Sequence, residues 1–180
     1  MELLVAGEDV EPELLAEVSA LAHPPRVVAV FRRDDLPQGT RPVTLALWRV
    51  GDPGNLGTLL RAADAFGAGV ALSEACADPT GPKAVRASMG AVFRVPLSAF
   101  DDAPGTRVAL VPDADLPLPE LQLEGDVVLV LGAEREGLPA AVLERCDKRT
   151  SILQPGGGDS LNVAMAGAIA LYELARRNRG

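Results

Sequence analysis

Aromatic side chains make up only 3% of the 180 residues, with one tryptophan and one tyrosine. Leucine, valine and alanine must therefore fill the interior, and a hydrophobic content of 48% supplies them while arguing against disorder. The single histidine, His23, precedes Pro24-Pro25 in a loop-like stretch, and nothing near it forms a catalytic triad. The two cysteines, Cys76 and Cys146, lie in different segments without metal-ligand spacing and read as small buried hydrophobes, so no metal is expected. No apolar run reaches the roughly 20 residues of a membrane span. The stretch MELLVAGEDVEP lacks the basic start and apolar core of a signal peptide. These absences lead to the expectation of a cytoplasmic protein with no membrane partner. Positive charge is also scarce: 17 Lys and Arg face 25 Asp and Glu, a net charge of −8. Binding to nucleic acid needs cations at the phosphates. Such a partner must be met by a local patch, for which Lys83 with Arg86, Lys148 with Arg149, and Arg176, Arg177 and Arg179 are candidates.

Along the chain, residues 8–22 read as a helix, with Leu14, Leu15, Val18 and Leu21 at helical spacing. RVVAVFRR (26–33) reads as a short strand, and the polar, turn-rich DDLPQGTRP (34–42) as a linker between segments 1–40 and 41–180. A regular alternation follows. Strands are expected at 43–50, 69–73, 92–97, 106–113, 126–134 and 148–153. Helices are expected at 56–68, 81–91, 139–146 and from Ser160 to about Arg177. The alternation, with strands built almost wholly of Val, Leu and Ala, predicts an α/β fold with a mostly parallel sheet flanked by helices. Ligands of such sheets lie beyond the carboxyl ends of the strands.

Three loops carry unusual chemistry. In GDPGNLGTLLRAADAFGAG, Asn55 suits a helix N-cap, and Leu56, Leu59, Leu60, Ala63 and Phe66 form an apolar stripe. Arg61 lies about 140° from Leu56 around the helix, away from that stripe. In LVLGAEREGLP, Gly132 follows a strand directly and is followed by Glu134 and Glu136. In QPGGGDSLNVAMAGAIALYEL, three glycines precede Ser160, a possible cap, and Asn162, placed in the first turn. Neither a GxxxxGK[ST] loop nor a GxGxxG after a strand is present. The helix beyond is apolar on nearly every side, so it must be covered by its own sheet and by a second copy of the chain.

Together the three loops resemble the SpoU/TrmH family of RNA 2′-O-ribose methyltransferases, of the SPOUT superfamily. DPGNLGTLLRAADAFG is similar to the first family motif, with Asn55 six residues before Arg61, LVLGAEREGLP to the second, and ILQPGGGDSLNVAMAGAIALYEL to the third. The gaps match as well, 20 residues from Gly132 to Ile152 and nine from there to Leu161. The resemblance implies a C-terminal trefoil knot, a homodimer, S-adenosylmethionine as cofactor, and ribosomal or transfer RNA as substrate. It places the cofactor against Gly132, Ile152 and Leu161, with Leu131, Gln154 and Gly156 around them. It gives Arg61 the acceptor hydroxyl, and has Asn55, Glu134, Ser160 and Asn162 order the pocket. Guanidinium groups keep their proton in proteins, so stabilising a developing alkoxide, or gripping the neighbouring phosphate, suits Arg61 better than acting as a base.

The chain departs from the family pattern in two places. Ile152-Leu153-Gln154 stands where many members have Ile-Pro-Met. Residues 1–40 resemble only the last helix and strand of the RNA-recognition domain that many relatives carry, a short form or remnant. Two other readings use the same layer. One is an enzyme acting on a small acceptor or nucleotide. The other is an inactive SPOUT-like dimer that binds RNA or a protein, which the acidic charge favours. The joint presence of Asn55, Arg61, Glu134, Ser160 and Asn162 favours the methyltransferase.

Overall fold

The computed structural model describes residues 2–19, 23, 25–156 and 161–177. Ser160 and the run 157–159 lie outside them, so the expected cap and glycine loop receive no structural account. The chain divides into two compact units, Met1–Asp35 and Leu36–Gly180.

In the first unit, β1 (Glu2–Val5) pairs antiparallel with β2 (Val27–Val30), and α1 (Pro12–Val18) lies between them in sequence. The helix is shorter than the 8–22 expected. Residues 5–10 form a turn in which the Val5 carbonyl accepts from Glu8, Asp9 and Val10, and the helix opens with Pro12 in its first turn, where a missing N–H costs nothing. Leu15 is its buried anchor.

The second unit holds a six-stranded sheet. Its strands are β3 (Val43–Trp48), β4 (Gly69–Leu72), β5 (Leu97–Ala99), β6 (Thr106–Leu110), β7 (Val127–Gly132) and β8 (Lys148–Thr150). Their order is β5-β4-β3-β7-β6-β8, and every pairing is parallel. The chain builds outward from β3 to β5, crosses to the far side, and returns β7 to the centre beside β3. The carboxyl ends of β3 and β7, where Trp48 pairs with Gly132, are thus the point at which the winding reverses. A crevice opens at such a point because the following loops diverge to opposite sides.

Alternation along the strands splits the core. Leu45, Leu47, Leu129 and Leu131 face one layer, formed with α2 (Pro53–Phe66), α3 (Pro82–Ser88) and α5 (Val163–Arg177). Ala46, Val128 and Val130 face the other, with Phe100, Ala103 and Val142 of α4 (Ala140–Leu143). Leu56, Leu59 and Leu60 of α2 are completely buried, each worth about 2 kcal/mol as an upper estimate. Phe66, expected in that stripe, stands half exposed at the helix end with its ring against Tyr172. The two cysteines are partly buried, Cys76 against the first core and Cys146 against the second. Burial pushes the Cys146 thiol up from its ordinary range.

The expected strand at 92–97 is instead a 3₁₀ turn, Ala91–Phe93, followed by a strand starting at Leu97. Its buried residues Val92 and Val95 are three apart, a helical rather than an extended spacing. At the far end of α5 the Arg177 guanidinium donates to the carbonyls of Leu118 and Leu121 and pairs with Glu173, fixing the last turn. Among the described residues, no helix is long and apolar enough to cross a membrane.

Two glycines set the helix spacing. A Cβ on Gly57 would lie 2.5 Å from the Ala84 carbonyl oxygen and 2.5 Å from the Ala87 Cβ, whereas one on Gly167 would meet the tip of Leu59 at 2.4 Å. Backbone cannot yield as a leucine tip can. Gly57→Ala is therefore expected to lower unfolding free energy by about 1–3 kcal/mol despite alanine's better helix propensity, and Gly167→Ala by less. Urea denaturation of both variants checks the order.

Candidate active site

Four loops at the carboxyl ends of the parallel strands build the site: those after β3, β6, β7 and β8. The N-terminal turn of α5 closes it. A cavity of about 390 Å³ lies among Leu131, Gly132, Glu134, Ile152, Gln154 and Leu161, with Leu110 to Pro112, Ala133, Arg135 to Leu138, Val163 and Ala166 completing the wall. Its size is that of a small-molecule site, and its wall mixes aliphatic side chains with loop backbone. Five of the six expected cofactor residues line it. The sixth, Gly156, stands in a turn off the wall, with open space where a Cβ would be.

The glycine at 132 has a close neighbour within the chain itself. A Cβ there would sit 2.3 Å from the carbonyl carbon and oxygen of Gly137 and 2.7 Å from the Leu138 nitrogen. The loop after β7 folds back over Gly132 through an Ala133–Gly137 bridge, with the Gly137 N–H donating to the Ala133 oxygen at 2.9 Å and Gly137 itself at φ +64°. This return presents Glu134, Arg135 and Glu136 together at the tip.

Those three residues also line a second cavity, of about 490 Å³, with Arg49, Gly51, Asp52, Asn55, Ala75 and Ala133. The two spaces share the wall Ala133–Glu136.

Asn55 is not the cap of α2. Asp52 is: its Oδ1 accepts the Asn55 N–H at 2.8 Å, and Pro53 takes the first helical position. Relieved of that duty, the Asn55 side chain donates from Nδ2 to Glu134 Oε1 at 2.6 Å and accepts at Oδ1 from Asn162 Nδ2 at 3.0 Å. Asn162 in turn caps α5, its Oδ1 accepting the N–H groups of Ala164 at 2.9 Å and Met165 at 3.3 Å. Donors and acceptors run one way, from the α5 amides through Asn162 and Asn55 to the Glu134 carboxylate. Each bond polarises the next, and the carboxylate receives the positive end of the series. Arg61 lies two turns beyond Asn55 on the exposed side of α2 and on neither cavity wall. Sequence reasoning missed the loop after β6 and, in the second cavity, Arg49 and Ala75. The first had a readable signal, because the apolar VALVPD segment ends a parallel strand beside the others.

Residues 42–172 match the model of the SpoU rRNA Methylase family. The chain belongs to this family. It is 36% identical over 182 residues to a Synechocystis protein described as an uncharacterized tRNA/rRNA methyltransferase, covering 93% of this chain and 66% of the relative. It is 31% identical over 172 residues to the 23S rRNA (guanosine(2553)-2′-O)-methyltransferase RlmP of Bacillus subtilis, covering 90% of this chain and 69% of that one. Among solved structures, the AdoMet-bound rRNA methyltransferase of Sinorhizobium meliloti superposes with a TM-score of 0.77 at 31% identity, over 92% of this chain and 69% of that one. The chain spans between about half and two-thirds of the length of the first relatives it matches.

The Asn55 N–H, and after it the Lys83 ammonium at 3.1 Å, hold the Asp52 carboxyl below its usual range. A depressed carboxyl stabilises the fold above its unfolded value near 4 and loses that contribution as pH falls through the folded value. Asp52→Asn is expected to flatten the decline of stability below about pH 4. Asp52→Ala should cost about 1 kcal/mol at neutral pH, as loss of an exposed N-cap does. Urea titrations at several pH values read both.

Proposed function

We propose that this chain is an S-adenosylmethionine-dependent RNA methyltransferase acting on a ribose 2′-hydroxyl of ribosomal or transfer RNA. The observation that carries the reading is the meeting of the first cavity with the Asn162–Asn55–Glu134 series at one shared wall. Kinship with RlmP of Bacillus subtilis and with the AdoMet-bound structure from Sinorhizobium meliloti supports it. Acting on such RNA places the protein in the cytoplasm.

The first cavity suits the cofactor on its own chemistry. Leu131, Ile152, Leu161 and Val163 offer apolar contact to a flat base, while backbone around Gly132 and the Gln154 amide offer polar contact. When bound, S-adenosylmethionine supplies an electrophilic methyl on a cationic sulfur. The protein's share is to position and polarise the acceptor. Glu134 belongs to both cavity walls, so its carboxylate accepts a hydrogen bond from a hydroxyl arriving through the second. Asn55 and Asn162 hold that carboxylate in place. Arg61, on the outer face of α2 and on neither cavity wall of its own chain, would meet the 2′ oxygen of a strand seated on the second copy of the dimer, and would there stabilise the charge that grows on that oxygen as its proton passes toward that copy's carboxylate.

The same reading makes the chain a homodimer with a knotted backbone after Ile152. Met165, Ile169 and Tyr172 recur along one exposed face of α5, and Phe66 packs on Tyr172, an apolar surface that a second copy would cover. The return of Leu161 and Val163 to the cavity beside Gly132 supports the threaded path.

Arg61→Ala should abolish transfer of label from S-adenosylmethionine to unmodified rRNA and tRNA transcripts while leaving the cofactor's calorimetric affinity intact; equal loss of both would remove Arg61 from the acceptor side. No label transfer by the wild-type protein to any such RNA would overturn the function. Ile169→Glu should shift the sedimentation of the protein from dimer to monomer.

A further inference from the structure

The second cavity contains chemistry that neither the cofactor nor the hydrogen-bond series uses. Arg49 and Arg135 both line it. Lys83, Arg94, Arg145, Arg176 and Arg177 of this unit each sit on a carboxylate, at distances from 2.5 to 3.1 Å. Among the described residues, Arg49 and Arg135 have no such partner. Other cations of the unit, such as Arg61, Arg86 and Arg149, also lack a carboxylate among the described residues, and what distinguishes Arg49 and Arg135 is that both line one cavity, in a chain of net charge −8. The carboxylates nearby do not supply the missing partners. Asp52 is engaged by Lys83 and the Asn55 N–H, and Glu134 by Asn55. Glu136 alone on that wall has no hydrogen bond assigned among the described residues.

The backbone adds a second observation. Three non-glycine residues among those described adopt left-handed φ, and two of them, Arg49 (φ 53°) and Ala75 (φ 64°), line this cavity. Arg49 is held there. Its N–H donates to Ser73 Oγ at 2.8 Å, and the Ser73 and Ala77 N–H groups donate to the carbonyls of Leu47 and Val50 on either side of it. Glycine would take this conformation freely. The sequence instead keeps a long cationic side chain at a position where backbone preference opposes it, a pattern that marks functional constraint.

We propose that Arg49, assisted by Arg135, grips the phosphodiester of the RNA strand next to the acceptor ribose and so positions the sugar at the Glu134 wall. A guanidinium fork matches two phosphate oxygens, and a phosphodiester is the anion an RNA strand carries on either side of every ribose. The inference rests on the methyltransferase reading for the identity of the strand. The grip fixes register and carries no base preference.

The left-handed backbone supplies a variant that keeps the fold. Arg49→Gly removes the guanidinium and relieves the strained φ, so its melting temperature should equal or exceed that of the wild type. With unmodified rRNA and tRNA transcripts, this variant should raise KM for RNA about tenfold or more, the scale of one charged hydrogen-bonded contact, while kcat changes by less than about twofold. The slope of log affinity against log salt should shrink by about one unit, evenly across different RNAs. S-adenosylmethionine affinity should not move, and Arg49→Lys should restore part of the loss. Wild-type RNA affinity and salt slope in Arg49→Gly would overturn the proposal, as would an effect confined to one RNA sequence. The salt slope tests Arg49 even on a protein that transfers no methyl group. Failure of the methyltransferase reading would instead show in the wild-type protein, before any variant is compared.

Discussion

One directional hydrogen-bond series organises the site. It starts at the amides of α5, passes through Asn162 and Asn55, and ends on Glu134. Its members are 107 and 79 residues apart in sequence, so no local preference can assemble it. The parallel sheet does so by returning β7 to the centre beside β3, which sets the first turn of α2, bearing Asn55, against the loop bearing Glu134. The helix packing then has to deliver Asn162 within 3.0 Å. Gly167 permits that close approach of α5 to Leu59 of α2, and the buried leucines of α2 drive it. The polar geometry is therefore specified by an apolar core, as a preorganised site requires.

Much of this was legible in the sequence. Continuous Val/Leu/Ala strands alternating with helices gave the layer and its parallel sense, and the loops with unusual composition proved to lie at one end of the sheet. The misreadings have physical causes. DPGN offers two residues able to cap a helix, and Pro53, favoured at the first helical position, decides for Asp52. The stretch at 92–97 is apolar enough for a strand, but Phe93 and Arg94 are less buried than Val92 and Val95 on either side of them, a helical spacing. Gly132 was marked as a place of close approach, and the chain's own turn at Gly137 makes one such approach there. Arg49 was invisible because a left-handed residue at a strand end has no pattern in neighbouring residues. The register of the β3–β7 pair that brings Trp48 opposite Gly132 is likewise a tertiary fact.

The shared wall explains how one short turn can serve two spaces. Glu134, Arg135 and Glu136 are presented by a return so tight that its first glycine tolerates no side chain. A longer loop could place the same three residues, but it would lose more conformational freedom on ordering and hold the carboxylate less firmly. The site thus has a rigid partition with a small-molecule cavity on one side and an arginine-bearing cavity on the other.

The long sequence separation also matters while the protein is being made. At synthesis rates of about 5–20 residues per second, the 107 residues between Asn55 and Asn162 take about 5–20 seconds to appear. Throughout that interval the leucines of β3 and α2 lack the helix that covers them, and the Asn55 side chain lacks its Asn162 donor. A translation product cut short before α5 would carry all eight described strands and no finished pocket. The last helix therefore completes the site, since only a chain extended through Asn162 can organise its polar centre.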